Sequence, residues 1–382
     1  MKVTVSVDSF KGSLSTFESA EAISEGIKRV FPDAEIFCSP LADGGEGTVD
    51  AVTAGAGGEK VKVCVTGPLG KKVCAEYGIV SSSGTAIIEM SSAAGITLVD
   101  EKERNPLYTT TYGVGEIILD AINRGCRKFV VGIGGSATND GGIGMLSALG
   151  FEFLDADGNR VKNCGEGLGD IKRIRIDGAN PHLCECVFNI ACDVKNPLCG
   201  KEGCSAVYGP QKGATPEIVR DMDAWLSDYA ALTKNVIETA DENYPGTGAA
   251  GGLGFAFMAY LGGKLTSGVE LVIAETGLEE KVKQSDLVIT GEGRLDGQTA
   301  MGKAPIGVAK LAKKYGKTVV AFSGAVTDEA RECNKHGIDA FFPILRKPCS
   351  LEDAMNTDNA YKNMADTAEQ VMRLYCAVNK QI

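Results

Sequence analysis

The sequence predicts an α/β protein of two α/β domains, one a discontinuous doubly wound parallel sheet and the other an inserted domain with a mixed sheet. Three observations predict it. Short β-branched runs alternate with helical spacing at both ends of the chain, a hairpin-like meander lies between them, and Gly-rich turns carrying acids recur where a strand hands over to a helix. At roughly 150 residues per domain, 382 residues allow two domains. The expected division is 1–58 plus 281–382 for the doubly wound domain and 59–280 for the inserted one.

Val3 to Val7 reads as a buried strand, and Ser15 with Glu18 forms a capping-box signature for a helix from Thr16 to Val30. Glu35 to Pro40 is a second strand, followed by Asp43-Gly-Gly-Glu46 and a helix from about Val49. Val61 to Val65, Cys74 to Val80 and Thr85 to Met90 are separated by turn residues, which predicts an antiparallel meander. Glu89 to Thr111 is expected on the surface, with helical spacing resuming at Gly113 to Asn123. Phe129 to Ile133 is a buried strand, then comes GGSATNDGG and a helix from Ile143 to Leu149. Val187 to Cys192 is a strand ending in Asp193, and Thr215-Pro-Glu opens a helix to about Thr239. The last third predicts strands at Asp286 to Thr290, Lys317 to Ser323 and Ala340 to Ile344. Helices are expected at Ile306 to Lys314, Asp328 to Lys335 and Leu351 to Tyr375.

The net charge of −11 argues against a nucleic-acid surface, because phosphate backbones need clustered Lys and Arg. Met1 runs straight into a strand, and no apolar run approaches the length of a membrane span, so a cytoplasmic protein with no membrane partner is expected. Thirteen scattered cysteines suit reduced thiols. Cys184, Cys186, Cys192, Cys199 and Cys204 raise a metal question, but no CxxC pair exists and His182 is the only imidazole nearby.

The stretch from Lys128 to Gly142 looks built for a ligand. Gly134, Gly135, Gly141 and Gly142 allow close backbone approach, and Ser136, Thr138 and Asn139 supply donors. The N–H groups of the next helix would face an anion, with phosphate the natural occupant. Pro245 to Gly254 admits two readings, a second phosphate-cradling turn, slightly favoured, or a close helix crossing that needs small residues. Several familiar motifs are excluded. Gly297-x4-Gly302-Lys303 ends in Ala304 where a Walker A loop needs a hydroxyl, the dinucleotide G-x-G-x-x-G spacing is missing, and two histidines outside Gly-rich loops give a Ser-His-Asp hydrolase little material. What remains is a set of acids at strand ends, a few basic residues including Lys11, Lys212, Arg294 and Lys303, and Gly loops. That combination suits phosphoryl transfer.

DSFKGSLS at Asp8 to Ser15, ADGGEGT at Ala42 to Thr48, GIGGSATNDGG at Gly132 to Gly142 and ACDVKNPL at Ala191 to Leu198 resemble signature blocks of the bacterial glycerate kinase family, of the glycerate 2-kinase type. So do YGPQKGATPE at Tyr208 to Glu217, with Tyr208 in place of Phe, GAAGGLG at Gly248 to Gly254, and GEGRLDGQT with GKAP between Gly291 and Pro305. The resemblance implies ATP-dependent phosphorylation of D-glycerate at the 2-hydroxyl, giving 2-phosphoglycerate; Mg²⁺ as cofactor is expected from the acids at strand ends. It also implies two α/β domains, one flavodoxin-like, with the site in the cleft between them. The residue roles are our own expectation. ATP phosphates are expected on Gly134, Gly135, Ser136, Thr138, Asn139 and Asp140, and Mg²⁺ on a subset of Asp43, Glu46, Asp193 and Glu292. Asp8 or Asp296 would take the hydroxyl proton. Lys11, Arg294 or Lys212 would hold the substrate carboxylate or the γ-phosphate, with Ser9 and Gln211 beside the substrate. Two other classes stay open on sequence alone: a non-catalytic nucleotide- or sugar-acid-sensing module, and a nicotinamide-dependent hydroxy-acid oxidoreductase. Oligomeric state, a homo-oligomer included, is also open.

Overall fold

The computed structural model describes residues 1–42 and 47–379. The chain divides into two compact units, Met1–Asp43 with Ala54–Ala56 and Val272–Ile382, and Gly44–Thr53 with Gly57–Leu271.

Unit 1 is a five-stranded, all-parallel sheet in the order Ala340–Pro343, Thr318–Val326, Leu287–Leu295, Lys2–Val7, Glu35–Cys38. Numbered within the unit, that is the 2-1-3-4-5 order of a flavodoxin-like fold, whose strand order reverses between its first and third strands. Val3, Val5 and Val7 join Leu287 and Ile289 on one face, under Ile23 and Ile27 of the helix Thr16–Lys28 and Met364, Ala368 and Met372 of the helix Thr357–Asn379. The alternate residues Thr4, Ser6, Val288 and Val319 are equally inaccessible, on the face to which the helix Ala304–Lys314 belongs. Covering on both faces explains why these strands read as continuous apolar runs rather than alternating ones. The Ser15–Glu18 capping box forms as expected.

One expectation is corrected here. The strand expected to end at Thr290 continues to Leu295, so that Glu292 pairs with Ser323 and Arg294 with Ala325 of the neighbouring strand. Its glycines suggested a loop. In fact the ladder to Thr318–Val326 continues after the strand Lys2–Val7 has ended.

Unit 2 carries a six-stranded sheet in the order Lys264–Thr266, Val187–Ala191, Lys128–Gly132, Thr85–Glu89, Lys72–Val80, Glu59–Thr66. The first four strands run parallel, and the last three form the expected antiparallel meander, so the sheet is mixed. Its core includes Phe129 stacked on Phe188 with ring centroids 4.7 Å apart. A two-stranded ribbon pairs Glu152–Leu154 with Arg173–Arg175. The segment expected on the surface from Glu89 to Thr111 is only partly so: Thr97, Leu98, Asp100 to Glu103 and Tyr108 are exposed, whereas Met90, Ala93, Ala94, Thr109 and Thr111 are buried. Among the described residues no helix is long and apolar enough to cross a membrane.

Candidate active site

In unit 1 the strand-order reversal lies between Lys2–Val7 and Leu287–Leu295. Parallel register sets Val7 against Gly291, and Asp8 N–H donates to Gly291 O at 2.9 Å. Asp8 and Glu292 therefore emerge side by side at the carboxyl ends of two strands, where such sheets open a crevice. A pocket of about 310 Å³ is found there. It is lined by Asp8, Ser9 and Lys11 from one loop, and by Glu292, Gly293, Arg294, Asp296 and Lys303 from the other side of the reversal.

Three carboxylates and three cations thus face one small volume. Asp8 is 7 % exposed and accepts from Ser9 N–H at 2.6 Å, so Ser9 contributes through its backbone as well as lining the wall. Glu292 is 9 % exposed, and burial, with Asp8 and Asp296 adding to it, pushes its carboxyl up to about 7 against the pull of Thr299 and Lys303. Asp296 caps the short helix Gly297–Ala300, accepting from Gln298 N–H at 2.9 Å and Thr299 N–H at 3.2 Å. Burial acts to raise it, but those N–H groups with Lys303 and Arg294 outweigh burial and leave it below its ordinary value. Arg294 Nε stands 3.6 Å from Asp296 Oδ2 with its side chain largely solvated, and Lys11 is exposed.

Lys303 is absent from the residue roles expected on sequence. The sequence kept Lys303 among the basic residues that suit phosphoryl transfer but gave it no role of its own. The near-Walker A stretch itself is not a phosphate loop. The segment is a helix, a turn through Gly302 and a second helix, with Lys303 at the cap position of Ala304–Lys314.

In unit 2 the Gly-rich loop after Lys128–Gly132 is arranged differently from its expectation. Gly134 and Gly135 are exposed and Ser136 is at the edge of the interior, whereas Thr138, Asn139 and Asp140 are fully buried. Asp140 accepts from Thr111 N–H and Thr111 Oγ1 at 2.8 Å each, and from Gly142 N–H and Gly144 N–H at 3.1 and 3.3 Å. The first-turn N–H groups expected to meet a phosphate already meet a carboxylate supplied by the loop. Burial pushes the Asp140 carboxyl above its ordinary value while those donors pull against it. Asn139 Nδ2 donates to Ser205 Oγ at 2.8 Å. Thr138, Asn139 and Asp140 are thus enclosed, and the exposed backbone of the loop is that of Gly134 and Gly135.

Lys212 is likewise interior. It is 3 % exposed and donates to Ser136 Oγ at 2.8 Å and Thr138 O at 2.6 Å, with burial pushing it down to about 8. It braces the loop rather than reaching outward, while its neighbour Gln211 is exposed. The Gly248–Gly254 stretch resolves in favour of close packing. Ala250, Gly251 and Gly252 all have positive φ, and a Cβ on Gly251 would lie 2.2 Å from Thr138 O. Glu89 was missed on sequence. Half-buried at the end of Thr85–Glu89, it accepts from Val49 N–H at 2.8 Å in the first turn of Thr48–Gly55, and desolvation pushes its carboxyl up.

Of the four expected metal ligands, Asp43 and Glu46 lie outside the described residues. Asp193 is exposed in unit 2 and accepts from Gly268 N–H at 3.1 Å, while Glu292 belongs to unit 1. Among the described residues no three His, Cys, Asp or Glu side chains gather into a metal site.

The model of the Glycerate kinase family matches residues 3–376. The chain belongs to the glycerate kinase family. It is similar to the glycerate 2-kinase of Escherichia coli K12, at 46% identity over 97% of both chains, and to the glycerate kinase of Bacillus subtilis 168, at 43% over 97% of both. A crystal structure from Salmonella typhimurium LT2, described as a glycerate kinase 2, superposes with a TM-score of 0.92 at 46% identity, covering all of both chains. As a member of the glycerate kinase family the chain is an enzyme that phosphorylates glycerate, and neither the sensing module nor the oxidoreductase is needed.

Proposed function

We propose that the enzyme transfers the γ-phosphoryl group of ATP to the 2-hydroxyl of D-glycerate, giving 2-phosphoglycerate and ADP. The observation that carries this reading is the charge pattern at the strand-order reversal of unit 1, with Asp8, Glu292 and Asp296 beside Lys11, Arg294 and Lys303. In the reaction the 2-hydroxyl oxygen bonds to the γ-phosphorus, the bond from that phosphorus to the β–γ bridging oxygen breaks, and ADP leaves. The hydroxyl proton goes to Asp8, which is anchored at a strand end. Lys11 and Arg294 hold the glycerate carboxylate or the phosphoryl oxygens, Lys303 adds positive charge beside Glu292 and Asp296, and Asp296 orients Arg294. In unit 2 the exposed amides of Gly134 and Gly135 are the part of the Gly-rich loop open to a nucleotide phosphate, with Ser136 set by Lys212.

Kinases of this kind use Mg²⁺, and the donor set suits it. Carboxylate oxygens are hard ligands, and Mg²⁺ is commonly held by one or two of them together with substrate phosphates, so a three-acid protein cage is not required. Glu292 is the acid of the unit 1 pocket that would hold it. When bound it supplies neutralisation of phosphate charge.

Phosphorus NMR of the product formed from D-glycerate and ATP tests the reading. The expected spectrum contains ADP and the 2-phosphomonoester. A 3-phosphomonoester would overturn the regiochemistry, and no phosphomonoester would overturn the reading.

A further inference from the structure

The short helix after the unit 1 pocket contains a side chain with an unusual set of partners. Thr299 is fully buried, and its Oγ1 accepts from Asp296 N–H at 3.2 Å and donates to Glu292 Oε1 at 2.5 Å. A hydroxyl has one hydrogen, and a backbone N–H can only donate. The bond from Asp296 therefore leaves the Thr299 hydrogen for the carboxylate. Its other acceptor, Arg294 O, is 3.5 Å away and competes poorly. Meanwhile Thr299 N–H donates to Asp296 Oδ1. In an ordinary capping box the side chain at this position reaches back to the cap and stops there. Here the box passes its hydrogen on to a second acid seven residues upstream.

We propose that Thr299 is a positioning residue of the kinase reaction: its hydroxyl, fixed by the Asp296 N–H, holds one oxygen of Glu292 so that the other is presented to the pocket. This rests on the reading of the unit 1 pocket as the phosphoryl-transfer site. The carboxylate is long enough to adopt several rotamers and lies among Asp8, Asp296, Lys303 and the thiol of Cys333, groups that pull it in different directions. A neutral donor behind it selects one orientation without adding charge. A hydroxyl does this and a methyl group of the same size does not.

The test compares Thr299→Val and Thr299→Ser by steady-state kinetics with D-glycerate, by thermal denaturation and by crystallography. Thr299→Val is expected to lower kcat by about ten-fold or more with KM for glycerate changed less than about two-fold, and Thr299→Ser to restore kcat to within about two-fold of the parent. In Thr299→Val the Glu292 carboxylate should leave its place against the helix, whereas in Thr299→Ser it should stay. In a Glu292→Gln background, Thr299→Val should cost little more. Equal losses in the Val and Ser variants, an unchanged kcat in Thr299→Val, or an unmoved Glu292 would each overturn the proposal. If Thr299→Val does not fold, Thr299→Ala replaces it under the same criteria. A parent enzyme inactive on glycerate would sink the functional reading instead, and the Glu292 position would still decide the role of Thr299.

Discussion

Asp8 and Asp140 are both acids in polar loops that follow a buried strand, and the structure surrounds them differently. Asp8 stands at the mouth of a pocket, so Asp8→Asn keeps its shape and most of its packing while removing the proton acceptor. A coupled ADP-release assay should show kcat reduced by roughly a hundred-fold or more, with the melting temperature little changed. An Asp8→Asn enzyme of normal kcat would remove the residue from the proposed mechanism. Asp140 faces inward to four donors, so Asp140→Asn swaps one accepting oxygen for an NH₂ group and sets donor against donor. The expected cost is about 2–4 kcal/mol of stability by urea denaturation. The sequence placed both acids in polar loops after a strand but did not show which of them its own loop encloses. Pocket-facing and loop-bracing acids carry the same local pattern, and the difference rests on Thr111, which is 29 residues from Asp140 in sequence.

At the scale of elements, regular strands and helices were largely legible, because apolar periodicity is set by which faces are covered. Glycine-rich stretches were not. GEGRL was expected as a loop and continues a strand, and GAAGGLG was given slight preference as a phosphate turn and is a left-handed turn pressed against the loop Thr138–Gly141. Glycine reports that a side chain is not tolerated without reporting whether a ligand or another backbone forbids it. The second case makes a paired prediction. Ala250 is the one non-glycine residue with positive φ among those described, at 52°, so Ala250→Gly should relieve strain and raise stability by about 0.5–1 kcal/mol. Gly251→Ala should destabilise by several times as much, because its Cβ would collide with Thr138 O; the measurement for both is the denaturation midpoint. Lys212 gives the same region a pH signature. Its folded value of about 8 lies below the ordinary 10.5, so the folded state binds fewer protons between those values. Stability should therefore rise with pH from about 8 to about 10.5 through this residue. Compared with the parent, Lys212→Met should lose that rise in pH-dependent denaturation, and an identical pH slope in both proteins would count against the buried-ammonium assignment.

For the molecule as a whole, the α/β class and the mixed and parallel sheets followed from strand spacing, and the family followed from signature blocks spread along most of the chain. The electrostatic organisation was less visible. A net charge of −11 gives no hint that six charged side chains converge at one crevice, since that convergence depends on strand order rather than composition. Glu89 shows a second pattern no single window displays: the first turn of Thr48–Gly55 receives a carboxylate from a strand end 40 residues away. Unit 1 has a further property because its first strand, which pairs early with Glu35–Cys38 on one edge, finds its other partner late, with Lys2 bonded to Asp286 across 284 residues. On the ribosome the amino-terminal strand leaves the exit tunnel long before Leu287–Leu295 has been made, and its unpaired edge must wait in an environment full of other nascent polypeptides. Trigger-type holdases and slow elongation through the first forty codons should therefore matter more to the yield of this enzyme than to that of a chain whose sheet closes in sequence order.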